Sequence, residues 1–184
     1  MPDAERADAE VPPLFDLIEL FFFAYRDFTA DADRQLDGLG FGRAHHRVLH
    51  FVHRHPGLTV AALLDILKIT KQSLNRVMKD LIDGGFIVVR TGVSDRRRRL
   101  LHVTAKGGRL ALDLAHLHSK RFARALAPLP PEARPQAVSF LLGMIDASER
   151  ERVTELVWGA PHGGDAEERR PPPAAGAGPR ERAA

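Results

Sequence analysis

Apolar side chains recur along the chain at helical spacing, and the longest such stretch begins near Pro13. Its members are mostly aromatic and stand three and four residues apart: Leu14, Leu17, Ile18, Phe21, Phe22, Tyr25 and Phe28. This spacing predicts an amphipathic helix over residues 13–37, ended by Gly38 and Gly40. Such a wide apolar face needs a cover, which is either the rest of the same subunit or a second subunit in a dimer.

Three more helices are predicted downstream. The first covers 41–54 and is ended by Pro56 and Gly57. Thr59 and Thr70 each precede an apolar periodic stretch and predict N-caps for two short helices, 60–67 and 71–83, joined by a two-residue connection. The second of this pair has apolar residues at i, i+3, i+4 and i+7: Leu74, Val77, Met78 and Leu81.

The period changes after Gly84 and Gly85. Residues 86–90 and 100–103 are short β-prone runs on either side of a polar loop, which predicts a β-hairpin. Thr104 predicts the N-cap of a helix that extends to about Leu126. Beyond a proline-rich break, one last helix is predicted from about Glu132 to Val157. The predicted fold class is therefore mainly α with a small β-hairpin.

Both ends of the chain have the composition of disordered segments. Residues 1–12 are polar and acidic, and 17 of the 26 residues from Gly159 to Ala184 are Ala, Gly or Pro. These segments have too little apolar surface to bury, so we expect 1–12 and 159–184 to be disordered and 13–158 to form one domain.

Positive charge is concentrated in the middle of the chain. Residues 60–110 hold 11 basic and 4 acidic side chains, a net of +7, whereas the whole chain is only +3. The rest of the chain therefore carries about −4, and a local basic segment indicates one surface that docks a polyanion. Two short helices followed by a hairpin with a basic tip are typical of a winged helix-turn-helix that binds double-stranded DNA.

The helix over 71–83 is the predicted reader of the DNA major groove. Its outward residues, with the N-cap, are Thr70, Lys71, Gln72, Ser73, Asn75, Arg76 and Lys79. Gln72, Asn75 and Arg76 carry the amide and guanidinium forks that read base edges, while the serine and lysines hold phosphates. Taken alone, the same pattern also fits an ordinary solvated helix face.

The hairpin tip is the predicted minor-groove contact. Four consecutive arginines follow an aspartate there, and Arg90 lies on the first strand: Asp95, Arg96, Arg97, Arg98 and Arg99. Guanidinium groups gain from the negative potential of a narrow minor groove without reading bases. We expect Asp95 to orient one of them, or to pair with Arg76 or Arg90. The same run of arginines also fits a loop that is basic only for solubility.

These residues resemble the MarR family of bacterial regulators. The resemblance runs through "LTVAALLDILKITKQSLNRVMKDLIDGGFIVVR", the hairpin "DRRRRLLHVT" and the following "TAKG". The family's wing pattern of Asp, any residue, Arg matches Asp95 and Arg97, and its helix-capping Thr and Gly match Thr104 and Gly107. Two further segments, "LFDLIELFFFAYRDF" and "GFGRAHHRVLHFVHRHPGLT", are similar to the PetP-type alphaproteobacterial branch.

The resemblance implies an arrangement of two copies on DNA. It implies an obligate homodimer with dimerisation helices at 13–37 and 131–158, and a winged helix-turn-helix at 41–107. Two recognition helices would enter successive major grooves, with wings in the flanking minor grooves. Many members bind a small aromatic effector between the dimer helices and the DNA-binding lobe.

The helix over 41–54 is rich in histidine. His46, His50 and His53 are the candidate effector contacts, and His45 and His55 lie close by. The spacings of His46 with His50, or His50 with His53, would also allow a shared metal. The same histidines also fit a response to pH or to an anion, or a purely structural role. We predict no cofactor and no metal.

No motif supports catalysis. The chain lacks a Gly-rich phosphate loop and any nucleophile motif, so we do not expect an enzyme. It contains no cysteine, no membrane-length apolar run and no basic secretory start, so we expect a cytoplasmic protein without a membrane partner. The second function class left open is an architectural or protein-binding winged helix without sequence-specific DNA readout.

Overall fold

The structure is a computed structural model that describes residues 12–91 and 98–159. It contains seven helices and three strands in these ranges: α1 (Phe15–Asp37), α2 (Arg43–Arg54), β1 (Leu58–Thr59), α3 (Val60–Leu67), α4 (Lys71–Asp83), β2 (Ile87–Thr91), β3 (Arg99–Val103), α5 (Ala105–Leu126), α6 (Ala133–Gly143) and α7 (Ala147–Trp158). The expected disorder of 1–12 and 159–184 falls on segments that, apart from Pro12 and Gly159, lie outside the described residues.

The threonine N-caps are confirmed at three helices. The Thr59, Thr70 and Thr104 hydroxyls accept hydrogen bonds from the backbone amides three residues later, at 3.1, 3.1 and 3.0 Å. Each bond satisfies an amide that has no partner inside its helix, so these three residues set where α3, α4 and α5 begin.

The hairpin belongs to a three-stranded sheet with the order β1-β3-β2, and both pairs are antiparallel. The predicted hairpin of β2 and β3 is present, and β1 adds a third strand that was not predicted, because Leu58 and Thr59 pair with Leu101 and Leu100. Two residues show no alternation that a pattern analysis could detect. The extra strand joins the middle of β3 to the start of α3.

The single C-terminal helix expected from about Glu132 to Val157 is wrong. The chain forms α6 and α7, separated at Met144–Asp146. The Arg150 guanidinium donates to the carbonyls of Gly143 and Ile145, at 3.0 and 2.8 Å. These bonds satisfy carbonyls that a continuous helix would have paired internally, and so stabilise the bend.

The core lies between α2, α3, α4, α5 and the sheet. Its fully buried side chains include Leu49, Leu63, Leu74, Leu81, Ile87, Leu101 and Leu114. The C-terminal half of α1 joins this core through Ala32 and Leu36. An Arg121–Asp31 ion pair of 2.6 Å between α5 and α1 reinforces the attachment, and the guanidinium lowers the pKa of that carboxyl.

The N-terminal half of α1 is not covered by its own subunit. Leu14, Leu17, Ile18, Phe21, Phe22 and Tyr25 are all 44% exposed or more. Packing within one subunit therefore does not cover this face, except at Phe28, which is half-buried against the His118 ring with centroids 3.9 Å apart. Within the described residues, no helix has the length and apolar character needed to cross a membrane.

A close approach between α5 and the start of β2 accounts for the glycine at position 107. A Cβ on Gly107 would lie 2.0 Å from the Phe86 carbonyl oxygen. The Thr104 hydroxyl donates to the Gly85 carbonyl at 2.7 Å, and the Lys106 ammonium lies 4.1 Å from the centre of the Phe86 ring. The "TAKG" segment, residues 104–107, therefore holds the start of α5 against Gly85 and Phe86, which follow α4.

We expect Gly107→Ala to lower the free energy of unfolding by about 1 to 3 kcal/mol, because the added methyl group must push backbone apart. Urea unfolding monitored by circular dichroism measures the change. Gly108→Ala is the matched control, since its Cβ would meet nothing closer than 3.7 Å and alanine favours a helix. Equal stability of the two variants would contradict the close-contact explanation.

Candidate nucleic-acid interface

Helices α3 and α4 form a compact helix-turn-helix. The turn uses Lys68 in the left-handed conformation at φ 50°, and its amide donates to the Leu64 carbonyl at 2.9 Å. The Arg47 guanidinium of α2 donates to the Leu67 carbonyl at 3.1 Å and so satisfies a carbonyl at the C-terminal end of α3. The apolar side of α4, with Leu74 and Leu81 fully buried, faces this support.

The predicted DNA-contact residues of α4 all lie on its exposed side. They are Thr70, Lys71, Gln72, Ser73, Asn75, Arg76 and Lys79. Three of these side chains have partners within the protein: Thr70 bonds Ser73, and Lys79 pairs with Asp83, which raises the pKa of the lysine.

The other four members of this face have no side-chain hydrogen bond to any described residue: Lys71, Gln72, Asn75 and Arg76. Three of these four are the amide and guanidinium side chains that suit base edges. The face therefore presents donor and acceptor groups on a rigid helix, within reach of a ligand that approaches from solvent.

The wing places arginines at its open end. Arg90 and Arg99 are exposed on β2 and β3, one residue apart in the register, and Arg98, which directly precedes β3, is exposed as well. The expected contacts of Asp95, Arg96 and Arg97 lie outside the described residues. The described part of the wing, the hairpin of β2 and β3, is therefore basic at the end that adjoins residues 92–97.

The histidines of α2 form a half-buried cluster with one histidine of α5. The His46 and His118 rings lie 4.9 Å apart, and burial, followed by the nearby His118, lowers the pKa of His46 to about 4. Burial and the neighbouring Arg54 lower the pKa of His50 to about 4, and the same two causes lower that of His53. These imidazoles are therefore neutral at pH 7.

His118 is the member of this cluster that pattern analysis missed. Its Nε2 is buried with no hydrogen-bond partner among the described residues. It lies 72 positions after His46 in the chain, so only the packing of α2 against α5 brings the two together. No group of three or more metal-binding side chains occurs within 12–91 and 98–159.

A cavity of about 750 Å³ lies away from these histidines. Its walls come from the end of α2, from β1, α3, β3 and α7, and include Leu58, Ile66, Arg98, Leu100, Arg152 and Leu156. None of the candidate effector contacts His46, His50 and His53 lines it.

Helix α3, the turn, α4 and the three-stranded sheet together define a winged helix-turn-helix protein. The family model described as "MarR family" matches residues 39–98. The HTH-type transcriptional regulator PetP of Rhodobacter capsulatus is 47% identical over 139 residues, which cover 76% of this chain and 84% of that protein. The chain therefore belongs to the MarR family, and the resemblance noted from the sequence is confirmed.

Solved structures share the fold. A crystal structure of MarR has a TM-score of 0.58 at 22% identity and covers 79% of this chain and 97% of that one. A complex of Staphylococcus aureus MepR with DNA has a TM-score of 0.56 at 20% identity and covers 68% and 93%. At these identities the likeness establishes the fold.

The histidine cluster predicts a loss of stability in acid. The pKa values of His46 and His50 are about 4 in the fold and near 6.5 when unfolded, so the unfolded chain binds more protons between these values. The free energy of unfolding should therefore fall as the pH drops from about 7 to about 4. After a discount for solvent screening, the loss is about 2 to 3 kcal/mol per histidine. Urea unfolding at several pH values measures this slope.

The combined substitution His46→Gln and His50→Gln should flatten the slope. The control is His116→Gln, because His116 is exposed on α5. A slope that is the same in the double variant as in the wild type would show that other groups cause the acid sensitivity.

Proposed function

We propose that the protein is a transcription regulator that binds double-stranded DNA sequence-specifically as a homodimer. The observation that carries this proposal is the exposed face of α4, where the side chains of Gln72, Asn75 and Arg76 have no hydrogen-bond partner among the described residues. A rigid helix with such amide and guanidinium forks matches the hydrogen-bonding pattern of the major groove. Family membership and the DNA complex of the MepR neighbour support the same function.

The side chains of α4 favour DNA over an acidic protein as the partner of this face, because basic charge alone fits both. Of the net charge of +7 over residues 60–110, residues 86–103 carry +4, α4 carries +1 and the start of α5 carries +2. Helix α4 and the hairpin would follow neighbouring grooves of a duplex. The second candidate, an architectural or protein-binding winged helix, accounts for the basic charge. It gives no reason for three base-reading side chains together on one face.

The homodimer is supported by the uncovered face of α1. Phe22, Phe15 and Leu20 are 63% exposed or more, and Phe140 of α6 and Met144, just after α6, are exposed as well. Covering such side chains is worth about 1.5 to 3 kcal/mol each, which makes a monomer with this surface in water costly. We propose that residues 13–37 and 131–158 cover one another in two copies, with 41–107 as the DNA-binding lobe of each.

The proposal includes control by a small-molecule effector. His46, His50 and His53 are the candidate contacts, because these neutral, half-buried imidazoles offer hydrogen bonds beside apolar rings. Chromosomal DNA as the partner implies a cytoplasmic location and a binding role without catalysis.

An effector of this kind should raise the melting temperature of the wild-type protein. It should leave the melting temperature of the His50→Gln variant unchanged.

The central experiment selects genomic fragments with the purified protein and then measures binding of the enriched duplex by fluorescence anisotropy. The proposal expects an inverted repeat with half-sites about one helical turn apart, bound by a dimer. A steep salt dependence without any sequence preference would favour the architectural function instead.

Asn75→Ala and Arg76→Ala should each weaken binding to the selected duplex by about 1 to 3 kcal/mol and relax the base preference at one position. Anisotropy against a set of single-base variants measures both effects. Arg97→Ala, in the wing, provides the contrast: it should weaken binding to every duplex and lower the salt dependence. An equal loss on all duplexes for Asn75→Ala would make that residue a phosphate contact.

Phe22→Glu should convert the dimer to a monomer, because a carboxylate cannot be buried among aromatic rings without a partner. Sedimentation velocity measures the mass, and binding to the inverted repeat should fall in parallel. Val88→Glu is the control, because Val88 is an apolar residue with 36% exposure on β2, which lies outside the proposed dimerisation segments 13–37 and 131–158. A Phe22→Glu protein that remains dimeric would place the interface elsewhere.

A further inference from the structure

One imidazole links the start of α2 to the recognition helix α4. The backbone amide of Gly42, the N-cap of α2, donates to Nδ1 of His45 at 3.1 Å. On the other side of the ring, Nε2 lies 3.2 Å from Oδ2 of Asp80 on α4. His45 therefore contacts two elements that are 38 positions apart in the chain.

The two contacts require one form of the ring. A backbone amide only donates, so Nδ1 of His45 must carry a lone pair, and the ring proton must sit on Nε2 and point to Asp80. Only the neutral Nε2–H tautomer makes both bonds at once. The side chain of His45 is 13% exposed, and its ring stacks on Phe41 with centroids 4.6 Å apart and planes 10° apart.

Apolar packing restrains the position of α4 along its own axis less sharply than a hydrogen bond does. The hydrophobic effect has no direction, so buried leucines resist separation of two helices, or a rotation that exposes them, more than they resist a small slide. A slide of α4 by one residue moves Asp80 by about 1.5 Å, which breaks a hydrogen bond of normal length. The His45–Asp80 bond is thus a directional restraint on α4, and Asp80 lies one turn beyond Arg76.

The His45 ring also lies beside the connection between α1 and α2. The amide of Phe41, which stacks on His45, donates to the carbonyl of Leu36 near the end of α1 at 3.1 Å. Phe41 also packs edge-on against Phe86 at the end of the α4 region, with centroids 5.1 Å apart. Leu36, Phe41, His45 and Asp80 form a continuous path from α1 to α4.

We infer that His45 is a positioning residue that sets the orientation of the recognition helix relative to α1. This inference rests on the proposed function, in which α1 belongs to the dimer interface and α4 reads DNA. The spacing between two recognition helices then depends on the angle between α1 and α4 in each subunit. Without the link, the orientation that fits both half-sites is a smaller fraction of the population, and the apparent affinity falls by that fraction.

The test uses two matched pairs in the full-length protein. His45→Phe keeps the ring that stacks on Phe41 and loses both hydrogen bonds, whereas the amide of His45→Gln restores a donor and an acceptor. Asp80→Ala and Asp80→Asn remove the same negative charge, but the asparagine keeps an oxygen that accepts from Nε2. The 43% exposure of the Asp80 side chain makes these two variants suitable should His45→Phe fail to fold.

Each variant is measured on the selected duplex and on a random duplex, well below its melting temperature. We expect His45→Phe and Asp80→Ala to bind the selected duplex about 5- to 10-fold more weakly than His45→Gln and Asp80→Asn, the factor for one net hydrogen bond. Binding to the random duplex should change by less than about 2-fold, because phosphate contacts tolerate a range of orientations. The double variant His45→Phe with Asp80→Ala should bind no more weakly than His45→Phe alone.

Equal affinity within both matched pairs would overturn the inference while leaving the proposed function in place. A wild-type protein with no preferred duplex would contradict the proposed function instead, and hydrogen exchange would then decide the inference. The amides of α4 should exchange faster in His45→Phe than in His45→Gln, and faster in Asp80→Ala than in Asp80→Asn. Identical exchange within both pairs would show that His45 does not hold α4.

Discussion

Burial of one side of α4 is the constraint on which the rest of the structure depends. Leu74, Val77, Met78 and Leu81 are at most 6% exposed, so α4 can rotate little about its axis without exposing apolar surface. Gln72, Asn75 and Arg76 must then face solvent. Around this contact the molecule adds directional polar links, such as His45 to Asp80 and Arg47 to the end of α3, which define position where apolar packing does not.

Helix α1 has two halves in different environments. Its C-terminal half belongs to the core through Ala32, Leu36 and the Asp31–Arg121 pair, so it moves with α5. Its N-terminal half is an uncovered aromatic surface, and α6 has exposed apolar residues as well. A helix that is anchored at one end and uncovered at the other is suited to join a second subunit to a DNA-binding lobe, and this is the basis of the homodimer that we propose.

The histidines illustrate how position in the fold divides residues of one type between different roles. His45 makes two directional hydrogen bonds at the start of α2. His46 and His50, on the same helix, lie in a neutral cluster with His118, where burial lowers their pKa values to about 4. The candidate effector contacts therefore lie against α5, while the cavity beside α7 is formed by other residues. A metal shared by His46 and His50 finds no third protein ligand among the described residues.

The sequence by itself determined the local elements, because helix periods, N-caps and turn residues act over a few neighbouring positions. Thr59, Thr70 and Thr104 marked three helix starts, and the apolar spacing from Leu74 to Leu81 separated the buried side of α4 from its exposed side. The two errors, the missed strand β1 and the single C-terminal helix, lie where local signals are missing or misleading. The two residues of β1 are too short to show a period, and the apolar spacing continues across the bend between α6 and α7, where Arg150 satisfies the freed carbonyls.

Only the tertiary structure decided the contacts between distant segments. His45 with Asp80, His46 with His118 and Gly107 with the Phe86 carbonyl join residues far apart in the chain, and no local pattern specifies which helices pack together. The exposure of Phe22 and its neighbours was likewise undecided by the sequence, since the same aromatic periodicity fits either cover. Packing decides against a cover within the subunit, because Phe22 and its neighbours stay exposed once the described elements are folded together.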